Sequence, residues 1–164
     1  MATPQSIEQG KIATMNIQPF FLMLALLAGQ YVFGRYPSFA LILARPIGLV
    51  AVVIFAVGLL LLLAGALTLL WRKTTVHPGR TPQHLVTGGL YRYTRTPIYL
   101  GMLLLLFVIP LMATQPRLLI FTLAFFVIMD FYVIPREEKI VQSAFAVDFE
   151  VYKRRTRRWF GNYY

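Results

Sequence analysis

The chain has no cysteine, only six acidic residues and only two histidines among its 164 residues. Without cysteine there is no disulfide, no thiolate nucleophile and no cysteine-ligated metal, and the redox compartment stays open. The histidines, His77 and His84, flank a Pro-Gly loop at a spacing of seven with no third ligand nearby, which speaks against a metal site. No G-x-S-x-G elbow, H-E-x-x-H pair, P-loop or G-x-G-x-x-G fingerprint occurs, so hydrolysis and kinase-type phosphoryl transfer lack a recognisable apparatus. Charge of either sign is scarce, at 13% of residues.

What fills the chain instead is apolar: 58% of residues are hydrophobic and the mean hydropathy is +0.65. These values fall outside the soluble range and predict an integral membrane protein, with length enough for one compact bundle and no separate soluble domain. The fold class expected is all-α: a helical membrane bundle of about four transmembrane helices, over residues 17–33, 46–70, 98–113 and 118–134, forming a single domain 1–164. A bilayer core asks for about 20 helical residues, so the second span has length to spare and the others are short. The stretch Tyr36 to Ala44 is also apolar, with Pro37 and Pro46 marking breaks. The polar N-terminus through Asn16 carries one lysine and is followed by no small-residue cleavage site, so no removable signal peptide is expected.

The basic residues are unevenly placed. Twelve of the 16 lie in 71–97 or from Arg136 onward, two regions separated by two spans and hence on one face. The positive-inside rule makes that face cytoplasmic, and with four spans both termini join it. Topology and anionic lipid headgroups account for most of the net charge of +10. Membrane lipids are therefore the expected partners, and no nucleic-acid-binding module is visible. The Gly and Ala residues of the second span offer a face on which helices can pair, but the oligomeric state is not readable. Beyond Arg136, Val141, Phe145, Phe149 and Tyr152 recur at helical spacing between charges, predicting an amphipathic helix on the cytoplasmic surface, with Trp159 as an interfacial anchor.

Chemistry-bearing residues cluster on that face. In `LVTGGLYRYTRTPIYLG`, Gly88-Gly89 permits a turn that brings backbone N–H groups close to a ligand. Arg92 and Arg95 suit an anion, and Tyr91, Tyr93 and Tyr99 supply rings and hydroxyls. The same residues also describe an ordinary interfacial loop with a tyrosine belt and inside-positive arginines. Glu137 and Glu138 stand where an anionic leaflet disfavours carboxylates, so they call for a cation, either Arg95 or the basic tail or a bound organic cation. Asp130 is the one acid inside a span, and helical spacing places it on a face with Ile134 and Glu137.

The two clusters together resemble the isoprenylcysteine carboxyl methyltransferase and phospholipid methyltransferase superfamily of small membrane enzymes. The first family block reads approximately L-V-T-x-G-x-Y-x-x-x-R-[HN]-P-x-Y-x-G, and Leu85, Val86, Thr87, Gly89, Tyr91, Arg95, Pro97, Tyr99 and Gly101 match it. The second reads approximately E-E-x-x-[LV]-x-x-x-F-G-x-x-Y-x-x-Y-x-x-R, matched by Glu137, Glu138, Val141, Phe145, Tyr152 and Arg155. Thr96 stands where the family has His or Asn, Ala146 replaces Gly and Phe149 replaces Tyr. Residues 84–159 carry the resemblance.

The resemblance implies S-adenosylmethionine as methyl donor, with S-adenosylhomocysteine as product, in a pocket formed by residues 84–101 and 136–159. Its donor-binding set would be Leu85, Val86, Thr87, Gly88, Gly89, Tyr91, Arg92, Arg95, Pro97, Tyr99, Glu137, Glu138 and Tyr152. Arg95 or Arg92 would meet the donor carboxylate and Glu137 or Glu138 its amino group. For an amine acceptor Asp130 or a glutamate such as Glu138 would serve as catalytic base, whereas a carboxylate acceptor would need none. The acceptor implied is amphiphilic and reached from the bilayer. Sterol reductases, which use NADPH, are similar in their C-terminal half but much longer, and a non-catalytic membrane protein retaining the fold is the remaining reading.

Overall fold

The computed structural model describes residues 18–36, 45–74 and 82–162. Among them the secondary structure is helical, with no strand beyond a single antiparallel bridge between Thr156 and Asn162. The helices are α1 Pro19–Phe33, α2 Pro46–Trp71, α3 Pro97–Ala113, α4 Leu119–Ile128 and α5 Ile134–Arg155, with short 3-10 turns at Gly89–Arg92 and Pro116–Leu118. Proline opens α1, α2, α3 and the turn before α4. Its fixed φ suits a first helical turn, where its missing N–H costs nothing. The apolar segments of the sequence thus lie in helices, and the fourth runs on well past residue 134. Lys11, His77 and most of Tyr36 to Ala44 lie outside the described residues.

Two helices are long and apolar enough to cross a membrane: α2, and the continuous run Pro116–Arg155. α1 and α3 are apolar but shorter, at 15 and 17 residues, or about 22 and 25 Å against a hydrocarbon core of about 30 Å. The amphipathic segment expected as a separate surface helix instead continues the fourth apolar helix. The join is a π turn, Met129–Val133, and the break comes later, at Ala146, with φ 20° and ψ −92°. A bilayer core accommodates roughly 20 residues, so a span that began at Pro116 would end before Glu137.

Helices α2 and α3 share the largest helix–helix contact, and small residues make it possible. A Cβ on Gly101 would come 2.6 Å from Gly58 O, and one on Gly65 would come 2.9 Å from Ile98. The glycine face of the second span is therefore used inside the chain, in the small-residue manner of membrane helices. The core joins Met23 of α1, Met102 and Leu106 of α3, Phe125 and Met129 of the fourth run, and Ile134. The opposite face of α2 leaves Leu49, Val53 and Leu60 exposed, as a lipid-facing surface should.

One polar node sits inside this apolar bundle. Pro110 of α3 has no N–H, so the carbonyl four residues earlier, Leu106, loses its helical partner. Thr122 Oγ1 donates to that oxygen at 3.1 Å and Gln30 Nε2 at 3.1 Å, while Gln30 also reaches Leu118 O at 3.3 Å. Gln30 is fully buried. A side chain that would be costly alone in hydrocarbon is retained because it satisfies backbone acceptors on two other helices.

Candidate functional site

The stretch from Leu85 to Thr96 folds onto the end of the bundle where α2 finishes and α3 begins. Gly89 has φ +64°, a left-handed conformation that starts the turn to Arg92. The segment 156–162 returns from α5 to lie against this loop, and main-chain groups hold the two together. Arg95 N donates to Arg157 O at 3.1 Å, Gly161 N to Tyr93 O at 2.9 Å and Thr156 Oγ1 to Arg92 O at 3.2 Å. Tyr152 hydroxyl donates to Tyr91 O at 2.5 Å. Thr94 and Thr96 hydroxyls both donate to Arg158 O, at 3.0 and 2.7 Å. Thr96, where the family pattern has His or Asn, is thereby a buried stitch between loop and tail.

These elements enclose a cavity of about 190 Å³, more than ten times what a single water requires. Of the residues implicated by sequence, Leu85, Val86, Tyr91, Arg95, Pro97, Tyr99, Glu137, Glu138 and Tyr152 line it. Thr87, Gly88, Gly89 and Arg92 shape the loop without forming its wall. Leu69, Thr74, His84, Thr96, Ile134 and Phe149 are among the other residues that line it. The break at Ala146 lets the end of α5 turn Phe149 and Tyr152 inward, both buried.

Two acid sites dominate the electrostatics. Tyr99 hydroxyl donates to Glu137 Oε1 at 2.6 Å. Burial pushes the Glu137 carboxyl up to about 7, reinforced by the neighbouring Glu138 charge and opposed by the tyrosine hydrogen bond. Glu138 stands between two guanidiniums: Arg95 Nη1 lies 2.8 Å from Oε1, and Arg158 Nη2 lies 2.8 Å from Oε2. The Arg95 contact is close in distance but poorly aligned as a hydrogen bond. Arg95 Nε and Nη1 are buried without a hydrogen-bond partner among the described residues, on a side chain 11% exposed. Burial also raises the Tyr91 hydroxyl, helped by Tyr152 and Glu137, and raises Tyr152 against the pull of Arg95. Both phenols stay neutral.

Asp130 is not in the cavity wall. Its Oδ1 accepts from Arg158 Nη1 at 2.8 Å and from Trp159 Nε1 at 2.9 Å. Simple helical spacing aligns Asp130 with Glu137, but the π turn adds one residue to the path. Asp130 therefore shares Arg158 with Glu138, and Glu137 is left to the cavity and Tyr99. Arg158 is the hub that sequence reasoning did not single out. The hydrogen bonds it donates to Glu138, and then to Asp130, hold its guanidinium still more firmly in the charged form. In sequence it is one of several arginines in a basic tail, with nothing to separate it from charges that merely set topology.

The arrangement offers an anion a buried guanidinium with unused N–H groups, and offers a cation a carboxylate held by one neutral donor. Apolar and tyrosine surfaces fill the space between. A family model described as phospholipid methyltransferase matches residues 46–148, from the start of α2 to just past the break in α5. That interval holds every cavity-lining residue except Phe149 and Tyr152. No curated protein and no solved structure matches the chain.

Proposed function

The chain belongs to the phospholipid methyltransferase family, and from that premise we propose that it transfers methyl groups from S-adenosylmethionine to an amphiphilic acceptor taken from the bilayer. One observation carries the reading. Residues far apart in sequence, from the loop 85–99 and from Glu137 to Tyr152, wall one cavity in which Arg95 has buried N–H groups to spare. Such a guanidinium fits the donor's carboxylate. Glu137, with no basic partner among the described residues, fits the α-amino group, and Leu85, Val86 and Tyr91 give an apolar and aromatic wall for the adenosine. When bound, the donor supplies a methyl group on a sulfonium, already activated for in-line displacement.

The protein's own share is then alignment and exclusion of water. Arg95, kept in place by Glu138, orients the donor's carboxylate, and Glu137, steadied by the Tyr99 hydroxyl, holds its amino group. Asp130, expected as a base, in this reading anchors Arg158 instead, and Glu138 positions Arg95. The acceptor is a phospholipid amine or another amphiphile whose tail stays in lipid. The cavity opens to the cytoplasm and the chain crosses the bilayer four times with both termini on that side, in keeping with the basic residues around the cavity.

Purified protein in detergent is expected to bind S-adenosylhomocysteine at micromolar concentration, and Arg95→Ala and Glu137→Gln each to weaken it about tenfold or more. Labelled-methyl transfer to total membrane lipid would identify the acceptor. Binding of NADPH in place of S-adenosylhomocysteine would refute the proposal, as would binding of neither. A reporter fused after Tyr164 that reads out on the non-cytoplasmic side would refute the topology.

A further inference from the structure

A second concavity lies at the other end of the bundle. Over its 17 residues, α3 carries the chain about 25 Å from the donor cavity, at roughly 1.5 Å per residue, and the turn Pro116–Leu118 starts it back. There, between α3 and α4, a groove of about 780 Å³ runs from Arg117 to Phe126, walled by Leu103, Phe107, Ile120 and Leu123. Its size falls within the range of about 300–1,000 Å³ seen for ligand clefts. Its wall is apolar except for Thr122, already bonded to Leu106 O, and one charged side chain, Arg117.

Arg117 is tethered but not neutralised. Its Nη2 donates to Gln115 Oε1 at 2.8 Å and to Phe33 O at 3.3 Å, both uncharged acceptors. Among the described residues the carboxylates are Asp130, Glu137, Glu138, Asp148 and Glu150, all from the π turn onward and toward the opposite end. Gln115 also accepts a hydrogen bond from Arg35 N at 3.4 Å and donates to Arg35 O, so a second exposed arginine belongs to the same corner. An uncompensated guanidinium therefore stands at the rim of an apolar groove in the bilayer. A free inorganic anion would leave the groove unfilled, and a neutral hydrocarbon would leave the charge unmet. A molecule with a phosphate diester at one end and an acyl chain at the other answers both.

We propose that this groove holds a phospholipid of the leaflet opposite the donor cavity, its phosphate on Arg117 and one acyl chain lying along Phe107 and Leu123 toward Phe126. The lipid is a bound component of the bundle, independent of the methyl acceptor and of the donor cavity.

The test uses the full chain, purified in mild detergent, stripped of lipid and incubated with phosphatidylglycerol, with bound lipid counted by native mass spectrometry. The wild-type protein retains the lipid. Arg117→Ala weakens retention about tenfold, the loss of one charge-assisted contact, and Arg117→Lys recovers part of it. Leu123→Trp, at a position 57% exposed and thus tolerant of bulk, fills the groove, keeps the charge and weakens retention comparably. Circular dichroism confirms helix content in each variant. Equal retention by the wild type and both Arg117→Ala and Leu123→Trp overturns the proposal. So does loss in Arg117→Ala with no change in Leu123→Trp, which would mean attraction of headgroups to a surface charge alone, and so does absence of retention by the wild type.

Discussion

Arg158 and Glu138 meet side by side, Nε to Oε1 at 3.3 Å and Nη2 to Oε2 at 2.8 Å, in the two-pronged geometry that only a guanidinium offers a carboxylate. The remaining Nη1 holds Asp130. Arg158→Ala would leave two partly buried acids without their shared cation, and is expected to lower stability by roughly 2–4 kcal/mol, read as a depressed melting temperature in detergent. Arg158→Lys should restore less than half of the loss, because a compact ammonium lacks the fork that grips Glu138 at two points while reaching Asp130. Full rescue by lysine would show that charge alone matters there.

The raised carboxyl of Glu137 has a definite sign. The folded protein prefers its neutral form, so ionisation costs stability, and the cost accumulates as pH rises from the ordinary value of 4.5 to about 7 and is constant above that. Glu137→Gln removes the ionisation and keeps an oxygen to accept the Tyr99 hydroxyl. It is expected to raise the melting temperature at pH 8 and to leave it nearly unchanged near pH 4.5. Binding of a cationic ligand should show the opposite trend, weakening as pH falls below about 7. A melting difference independent of pH would contradict the assignment.

Ala146 occupies a backbone conformation, φ 20° and ψ −92°, that suits glycine far better than a residue with a Cβ. The break is needed to turn Phe149 and Tyr152 inward. Ala146→Gly is expected to stabilise the protein by about 1 kcal/mol, a gain measurable by thermal denaturation. No gain, or a loss, would mean that the surrounding contacts already accommodate the methyl group.

Glycines differ sharply in what they can lose. Gly101→Ala drives a methyl group to 2.6 Å from Gly58 O and 2.7 Å from Leu62 N, so α2 and α3 must separate. A cost of roughly 1–3 kcal/mol or more is expected. Gly88→Ala meets nothing within 4 Å and sits at an ordinary φ of −101°, so its melting temperature should match that of the wild type. Equal effects at the two positions would refute the close-packing account.

The apolar runs legible in the sequence fall in helices, with Pro46, Pro97 and Pro116 each opening a helical turn, whereas the continuity of the fourth run into the amphipathic segment was not legible. The spacing of Arg95 and of Glu137-Glu138 about two spans pointed to a shared end of the bundle. What stayed hidden depends on contacts between distant segments. Gln30 looks like a misplaced polar residue until Pro110 is seen to free the Leu106 carbonyl. Arg158 looks like one more basic residue in a tail until Thr94 and Thr96 fix its backbone beside α3. The Asp130 alignment went astray for a local reason, since periodicity presumes 3.6 residues per turn and the π turn departs from it.

That departure makes the phase of the whole C-terminal segment hinge on one surplus residue. Were Met129 to Val133 to wind as ordinary α-helix at unchanged length, everything after them would rotate by about 100°. Glu137 would then swing toward Arg158, while Glu138 would leave it. A change of winding that any hydropathy plot would overlook would thus exchange the duties of two adjacent acids.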